Sequence, residues 1–195
     1  PVPQRAQVLA ENVIKWGNPS AVVTRNEPAD FAPFANFFDF VLVDAPCSGE
    51  GMFRKDPGAV EQWSLSNVAQ CVTRQRSILT DIWSSLRPGG LLVYSTCTFN
   101  SEENEECVKW IAEELGATLL PLEVGDGWGI TGSLVGDDLP VYRFLPGYTA
   151  GEGFFLAALR KNGDAPLAQP RSERWQAVPA KLKSQVELWL KEPGG

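Results

Sequence analysis

The chain has 195 residues, enough for one domain or for one domain and part of a second. Its composition, 44% hydrophobic and 21% charged, is that of a globular protein, and no run approaches the roughly 20 apolar residues that a bilayer span requires. A net charge of −7 argues against a large basic nucleic-acid surface, and with no basic-then-apolar leader the chain is expected to be cytoplasmic.

Residues 4–16 carry Ala6, Leu9, Ala10, Val13 and Ile14 at helical spacing, and Gly17-Asn18-Pro19 stops the helix they predict. Ala21 to Thr24 reads as a short strand. The connection over 25–38 holds Phe31, Phe34, Phe37 and Phe38 as packing groups. Phe40-Val41-Leu42-Val43 is a continuous apolar run ending at Asp44, the pattern of a strand covered on both faces. A glycine-rich loop follows over 47–58. Ser66 is the expected cap of a long amphipathic helix. In it Val68, Val72, Gln75, Leu79, Ile82 and Leu86 repeat at alternating intervals of four and three, with one polar slot at Gln75. Pro88-Gly89-Gly90 is expected to end that helix, and Leu91 to Ser95 to form a second buried strand.

Asn100 with Glu103 makes a capping pattern for a further helix. Glu102, Glu103 and Glu105 then stand where the helix dipole favours negative charge. Val108, Ile111, Ala112 and Leu115 supply its apolar face. Thr118 to Leu120 is a short strand, 121–147 has no clear period, and Gly153 to Leu159 is the last strand. Beyond Lys161, Pro166, Pro170 and Pro179 amid polar residues mark a linker, and 180–191 carries Val186 and Leu190 on one helical face. The alternation of helices and strands predicts a doubly wound α/β domain over 1–161, with 162–195 as a linker and the start of a C-terminal module.

Two of the expected strands end alike. Asp44-Ala45-Pro46-Cys47-Ser48-Gly49-Glu50-Gly51 and Ser95-Thr96-Cys97-Thr98-Phe99 each put a cysteine just past a strand, where open α/β sheets collect ligands and catalytic groups. The four cysteines, at 47, 71, 97 and 107, include no C-x-x-C pair and the chain has no histidine, so no metal site is expected. Cys71 and Cys107 fall within helices and read as small buried hydrophobes.

Two thiols beside a carboxylate suit covalent chemistry on an electron-poor ring such as cytosine. Carbon 5 of cytosine is too weak a nucleophile to take a methyl group. A thiolate adding to carbon 6 makes carbon 5 enamine-like and open to alkylation. A carboxylate at the polar edge of the ring and a base for the final elimination complete the requirement, and Asp44, Cys47 and Cys97 supply such a set. Plainer roles compete elsewhere. Gly49 and Gly51 serve the turn, and Arg54 and Lys55 are as well read as solvated charges. Arg74 and Arg76 are the wet face of the long helix, and the glutamates at 102–106 are helix-start charges. Trp63, Trp83 and Trp110 read as packing groups.

The stretch from Asp44 to Pro57 resembles motif IV of the Sun-family RNA cytosine-5 methyltransferases, and Ser95 to Glu105 resembles their motif VI. Gly151-Glu152-Gly153-Phe154-Phe155 with Leu159-Arg160-Lys161 resembles their closing strand. The likeness runs from about residue 4 to residue 161 and is nearest to the RsmF-type ribosomal RNA enzymes. It implies a Rossmann-like class I methyltransferase fold with a doubly wound, mostly parallel sheet, S-adenosyl-L-methionine as cofactor, and RNA, ribosomal by subgroup, as partner. By this resemblance Cys97 is the nucleophile that attacks carbon 6, Cys47 assists release of the methylated product, and Asp44 lies between methyl donor and cytosine and contacts both. Asn26 or Glu27 takes the place of the adenosine-binding acid, the register between them being open. Lys55, with Arg54 beside it, would touch RNA phosphate or hold the loop.

The chain departs from the family in three places. The first strands and the Pro-Gly-Gly-Lys type donor loop, expected ahead of the first helix, are missing. So is an acidic residue expected just before Pro1. Pro146-Gly147 stands where the family often has Pro-His. The chain is therefore expected to be truncated at its N-terminus and to bind the donor weakly or not at all, with the cations of an RNA surface lying in the missing parts. Two alternatives stand beside this reading. One is an amino-methyltransferase of the same fold, which would carry Asp/Asn-Pro-Pro-aromatic at this strand end and need no thiol. The other is a non-catalytic RNA- or protein-binding remnant.

Overall fold

The computed structural model describes residues 2–164. The expected linker beyond 164 and the expected helix over 180–191 lie outside the described residues. The main elements are helix α1 (Pro3–Trp16), strand β1 (Phe38–Asp44), α2 (Pro57–Gln62), α3 (Leu65–Trp83), β2 (Leu86–Thr96), α4 (Glu105–Glu114), β3 (Ala117–Leu119), β4 (Val141–Phe144) and β5 (Phe154–Lys161). Among the described residues no helix is long and apolar enough to cross a membrane.

The strands form one mixed sheet in the order β1-β2-β5-β3, with β4 also paired to β5. β1 and β2 are parallel, with Val43 opposite Tyr94 and Asp44 opposite Ser95. β5 is antiparallel to β2, β3 and β4, so four strands run one way and β5 runs against them. Leu92 and Tyr94 on β2, Phe155, Ala157 and Leu159 on β5, Leu79 on α3, and Cys107, Val108 and Ile111 on α4 make one buried cluster. α3 and α4 therefore cover one face of the sheet and leave the strand ends open.

Several sequence expectations change. Ala21 to Thr24 is not a strand: it joins no ladder, and Val22 is 83% exposed. A four-residue extended piece has no independent stability without a neighbour to take its hydrogen bonds, and among the described residues the outer edge of β1 is unpaired. β1 is not covered on both faces. Val43 is buried, but Phe40 and Leu42 on the opposite face are 53% and 60% exposed. An apolar run does not reveal which of its faces finds a partner. Ser64, not Ser66, caps α3, its hydroxyl accepting from the Asn67 N–H at 3.1 Å. Pro88-Gly89-Gly90 does not end α3, which stops at Trp83. It lies at the start of β2, where the register against β1 slips between Phe38 and Phe40. β4 lies in the stretch that showed no period.

Candidate active site

β1 and β2 run side by side in the same direction, so their C-terminal ends come together. Beyond Asp44 the chain turns through Pro46, and beyond Thr96 it bends at Cys97. Cys47 and Cys97, fifty residues apart in sequence, thereby meet with their Sγ atoms 3.2 Å apart. Asp44 stands beside them on the exposed end of β1, accepting a hydrogen bond from the Ser95 hydroxyl at 3.0 Å.

The two thiols share a proton. A hydrogen bond from Cys47 lowers the pKa of Cys97 from 9.0 to about 7, against opposing pushes from burial and from the Asp44 charge. Cys47 is pushed well up, first by the same bond to Cys97 and then by burial. The pair thus loses its first proton easily and its second with difficulty, which favours one thiolate and one thiol near neutral pH.

A buried polar lattice holds the two cysteine loops together. The hydroxyls of Ser48 and Thr98 lie 2.9 Å apart. Gly51 N–H donates to the Cys97 carbonyl at 2.8 Å, and a Cβ on Gly51 would stand 2.5 Å from that oxygen, so only glycine permits the approach. Glu50 reaches from the first loop to accept from the N–H groups of Phe99 (2.7 Å) and Asn100 (2.8 Å) in the second, and from Trp63 Nε1 (2.9 Å). Burial alone would raise its pKa, but hydrogen bonds from Asn100 and Phe99 outweigh it and hold the carboxyl below its ordinary value.

Glu103 is fully buried and works from beneath. Its carboxylate accepts from Ser48 N–H at 3.0 Å, from Gln75 Nε2 at 2.6 Å and from Asn100 Nδ2 at 2.8 Å. Gln75, the polar slot of α3, also donates to the Pro46 carbonyl at 3.1 Å, one residue before Cys47. Glu105, fully buried too, pairs with the buried Arg143 guanidinium of β4, with Nε at 2.8 Å. Arg143 Nη1 in turn donates to the Phe99 carbonyl at 2.9 Å. Glu103 and Glu105 are thus not simply solvated charges at a helix start. Asn100 and Glu103 bond reciprocally as expected, but they close a turn ahead of α4, which begins at Glu105.

The remaining expected site residues are placed less centrally. Arg54 and Lys55 are largely exposed and pair with Glu152 at 3.8 and 3.4 Å, whose backbone carbonyl packs against Gly51. Asn26 and Glu27 precede a short 3-10 helix over Pro28–Phe31. Asn26 Nδ2 and Glu27 N–H both donate to Asp30, at 3.3 and 2.9 Å. Among the described residues no hydrogen bond joins Asn26 to Asp44, Cys47 or Cys97. Asn26 instead lines a cavity of about 360 Å³ with Val2, Arg5, Ala6, Leu9, Thr24 and Arg25. Cys107 is fully buried in the core, and Cys71 is half-buried on α3.

The missed residues had signals of unequal strength. The polar slot at Gln75 was visible as the one break in an apolar stripe. Glu103 and Glu105 gave none, because a dipole-favoured surface carboxylate and a buried structural one look identical at a helix start. Arg143 lay in a strand without a visible period.

The fold and the strand-end site define a Rossmann-like methyltransferase domain. A structure of NSun6 from Pyrococcus horikoshii with SFG, an S-adenosylmethionine analogue, is similar at a TM-score of 0.68 and 29% identity, covering 84% of this chain and 40% of that one. A methyltransferase homologue from the same organism gives a TM-score of 0.66 at 27% identity, over 82% of this chain and 51% of that one. The chain belongs to the family described as 16S rRNA methyltransferase RsmB/F, which matches residues 1–160. Among curated relatives, Ribosomal RNA small subunit methyltransferase F of Aliivibrio fischeri is 34% identical over 96% of this chain and 42% of its own length. The protein of that name from Escherichia coli O6:H1 is 38% identical over 84% of this chain and 34% of its own. The chain therefore spans well under half the length of these relatives.

Proposed function

We propose that this chain carries the chemical centre of an S-adenosylmethionine-dependent methyltransferase acting on carbon 5 of cytosine in RNA, ribosomal RNA being the substrate that its relatives' names indicate. The observation that carries the reading is the thiol pair at 3.2 Å on the ends of two parallel strands, with Asp44 beside it. An amine-directed enzyme of this fold needs no nucleophilic thiol and gains nothing from a second one.

The residues present fit one part of the cofactor's site. Among the described residues Asp44 has no cation against its exposed carboxylate, which suits a sulfonium centre, and Asn26 or Glu27, both of which donate to Asp30, would take the adenosine. S-adenosylmethionine supplies, when bound, the electrophilic methyl group. The chain's own groups do the rest. Cys97, as thiolate, adds to carbon 6 of the ring and so makes carbon 5 nucleophilic. Asp44 holds the polar edge of the pyrimidine. Once carbon 5 carries its new substituent, its proton must leave before the Cys97–carbon bond can break. Cys47, 3.2 Å from that sulfur, is placed to assist the release. Arg54 and Lys55 lie at the rim of the loop for RNA phosphate, at the expense of their exposed pairing with Glu152.

The test is a pair of variants made in the full-length protein, in a cytosine-containing RNA assay with S-adenosylmethionine. Cys97→Ala should abolish both methyl transfer and any protein–RNA adduct. Cys47→Ala should accumulate an adduct that survives denaturing electrophoresis. Full turnover by Cys97→Ala would remove the nucleophile assignment.

A further inference from the structure

We propose that Cys47 and Cys97 are also a site of reversible oxidation, closing to a disulfide across the two strand-end loops when the chain meets a peroxide. Their Sγ atoms stand 3.2 Å apart, and a disulfide needs about 2.05 Å, so a closure of about 1.2 Å makes the bond. The lattice flanking both residues keeps that separation short. Ser48 and Thr98, each next in sequence to one of the thiols, share a hydrogen bond of 2.9 Å, and Gly51 N–H is tied to the Cys97 carbonyl at 2.8 Å. Both thiols are only half-buried, open to a small oxidant. Cys107 is sealed in the core, and the Cys71 thiol turns to Asn67 on its own helix at 3.9 Å.

The step balances with one peroxide. The Cys97 thiolate attacks one peroxide oxygen, the O–O bond breaks, and the departing hydroxide takes a proton to become water, leaving a sulfenic acid on Cys97. The Cys47 sulfur attacks the Cys97 sulfur, the S–O bond breaks, and the Cys47 proton leaves with the hydroxyl as a second water. Two thiols and one peroxide give one disulfide and two waters. The sulfurs are oxidised and the peroxide oxygens reduced, and a dithiol reductant reverses the bond. Oxidation would occupy at once the thiol that adds to the ring and the thiol that aids release. That consequence rests on the function proposed above, whereas the bond itself rests on the distance alone.

The experiment treats the chain with hydrogen peroxide, then unfolds it, alkylates it and counts thiols by mass. Of the four thiols, two should remain alkylatable, Cys71 and Cys107. A cross-linked peptide should join Cys47 to Cys97, and dithiothreitol should restore all four. In Cys47→Ser the Cys97 sulfenic acid has no resolving thiol and should be trapped by dimedone, with no cross-link formed. Wild type that takes up dimedone at Cys97 as fast as the Cys47→Ser variant overturns the proposal, as does a cross-link through Cys71 or Cys107. A chain that forms the Cys47–Cys97 bond while its Cys97→Ala variant still methylates RNA would remove the proposed function and leave the oxidation site standing.

Discussion

The cysteine end of the sheet and the first 37 residues are built in opposite ways. At the cysteine end, buried side chains from α3, α4 and β4 converge on two loops and meet nearly all their polar needs within the protein. In the N-terminal stretch α1 buries none of its residues, its apolar side chains lie largely open, and the rings of Phe31, Phe34 and Phe37 pack against one another and against Phe38 at the start of β1. Reacting groups must be held to within fractions of an ångström, which requires satisfied buried polar contacts and fully packed neighbours. An apolar surface without a cover makes no such demand of its residues.

The contrast breaks most sharply at Glu105. It is fully buried against Arg143, itself 1% exposed, and Arg143 also holds the Phe99 carbonyl two residues past Cys97. Glu105→Ala leaves a buried guanidinium without its counter-charge, which costs about 3–5 kcal/mol. Urea unfolding followed by tryptophan fluorescence should show that loss as a lowered midpoint. An unchanged midpoint would mean that the lattice is not what stiffens this end.

How far such a lattice is legible from sequence depends on the residue. Cys47, Cys97 and Asp44 were visible because two small-residue turns followed two apolar runs, and the parallel register of β1 and β2 then brought them together as expected. Strands β1, β2 and β5 were visible through their apolar runs, and β4 was not. What supports the thiols was not. Glu103 accepts three hydrogen bonds while occupying a position where any acidic residue would be favoured for its charge alone. Gln75 announced itself only as an interruption in an apolar stripe, and its partner, the Pro46 carbonyl, lies 29 residues earlier. Burial is a property of what the rest of the chain places overhead, so a local pattern cannot report it. The same limit explains β1, whose run of apolar residues was read as covered on both faces although Phe40 and Leu42 are open.

The stiff end also carries a pH dependence. Cys97 titrates at about 7 because Cys47 donates to its thiolate. The reactive species is the thiolate, so alkylation of Cys97 should rise with pH through a midpoint at about 7 and level off roughly a unit above it. Cys47→Ala removes the donor, and the Cys97 pKa should climb back toward 9.0. At pH 7 the thiolate fraction then falls by roughly 50-fold. The more basic thiolate is intrinsically the better nucleophile, so the observed rate should drop by about 5- to 10-fold. The loss should vanish near pH 8 and reverse above it, the fully ionised variant reacting about 6- to 10-fold faster than wild type at pH 10. Iodoacetamide kinetics on Cys97, with Cys71 and Cys107 replaced by serine, would read it. An unshifted profile would show that the two thiols do not share a proton.

The smallest effect belongs to the N-terminal stretch. Ile14 is 76% exposed and lies on α1, which contributes no buried residue. Ile14→Ser removes apolar area that is already in water and breaks no hydrogen bond, so the remaining cost is helix propensity. That is a few tenths of a kcal/mol, inside the usual surface range of about 0.5. The same substitution at Leu79 on α3, fully buried beneath the sheet, leaves a cavity and an unpaired hydroxyl and should cost about 3 kcal/mol or more. Thermal unfolding of both variants puts the two regions on one scale. If Ile14→Ser cost as much as the core variant, the apolar face of α1 would be covered in solution, and the division between a stiff chemical end and an open N-terminal stretch would fail.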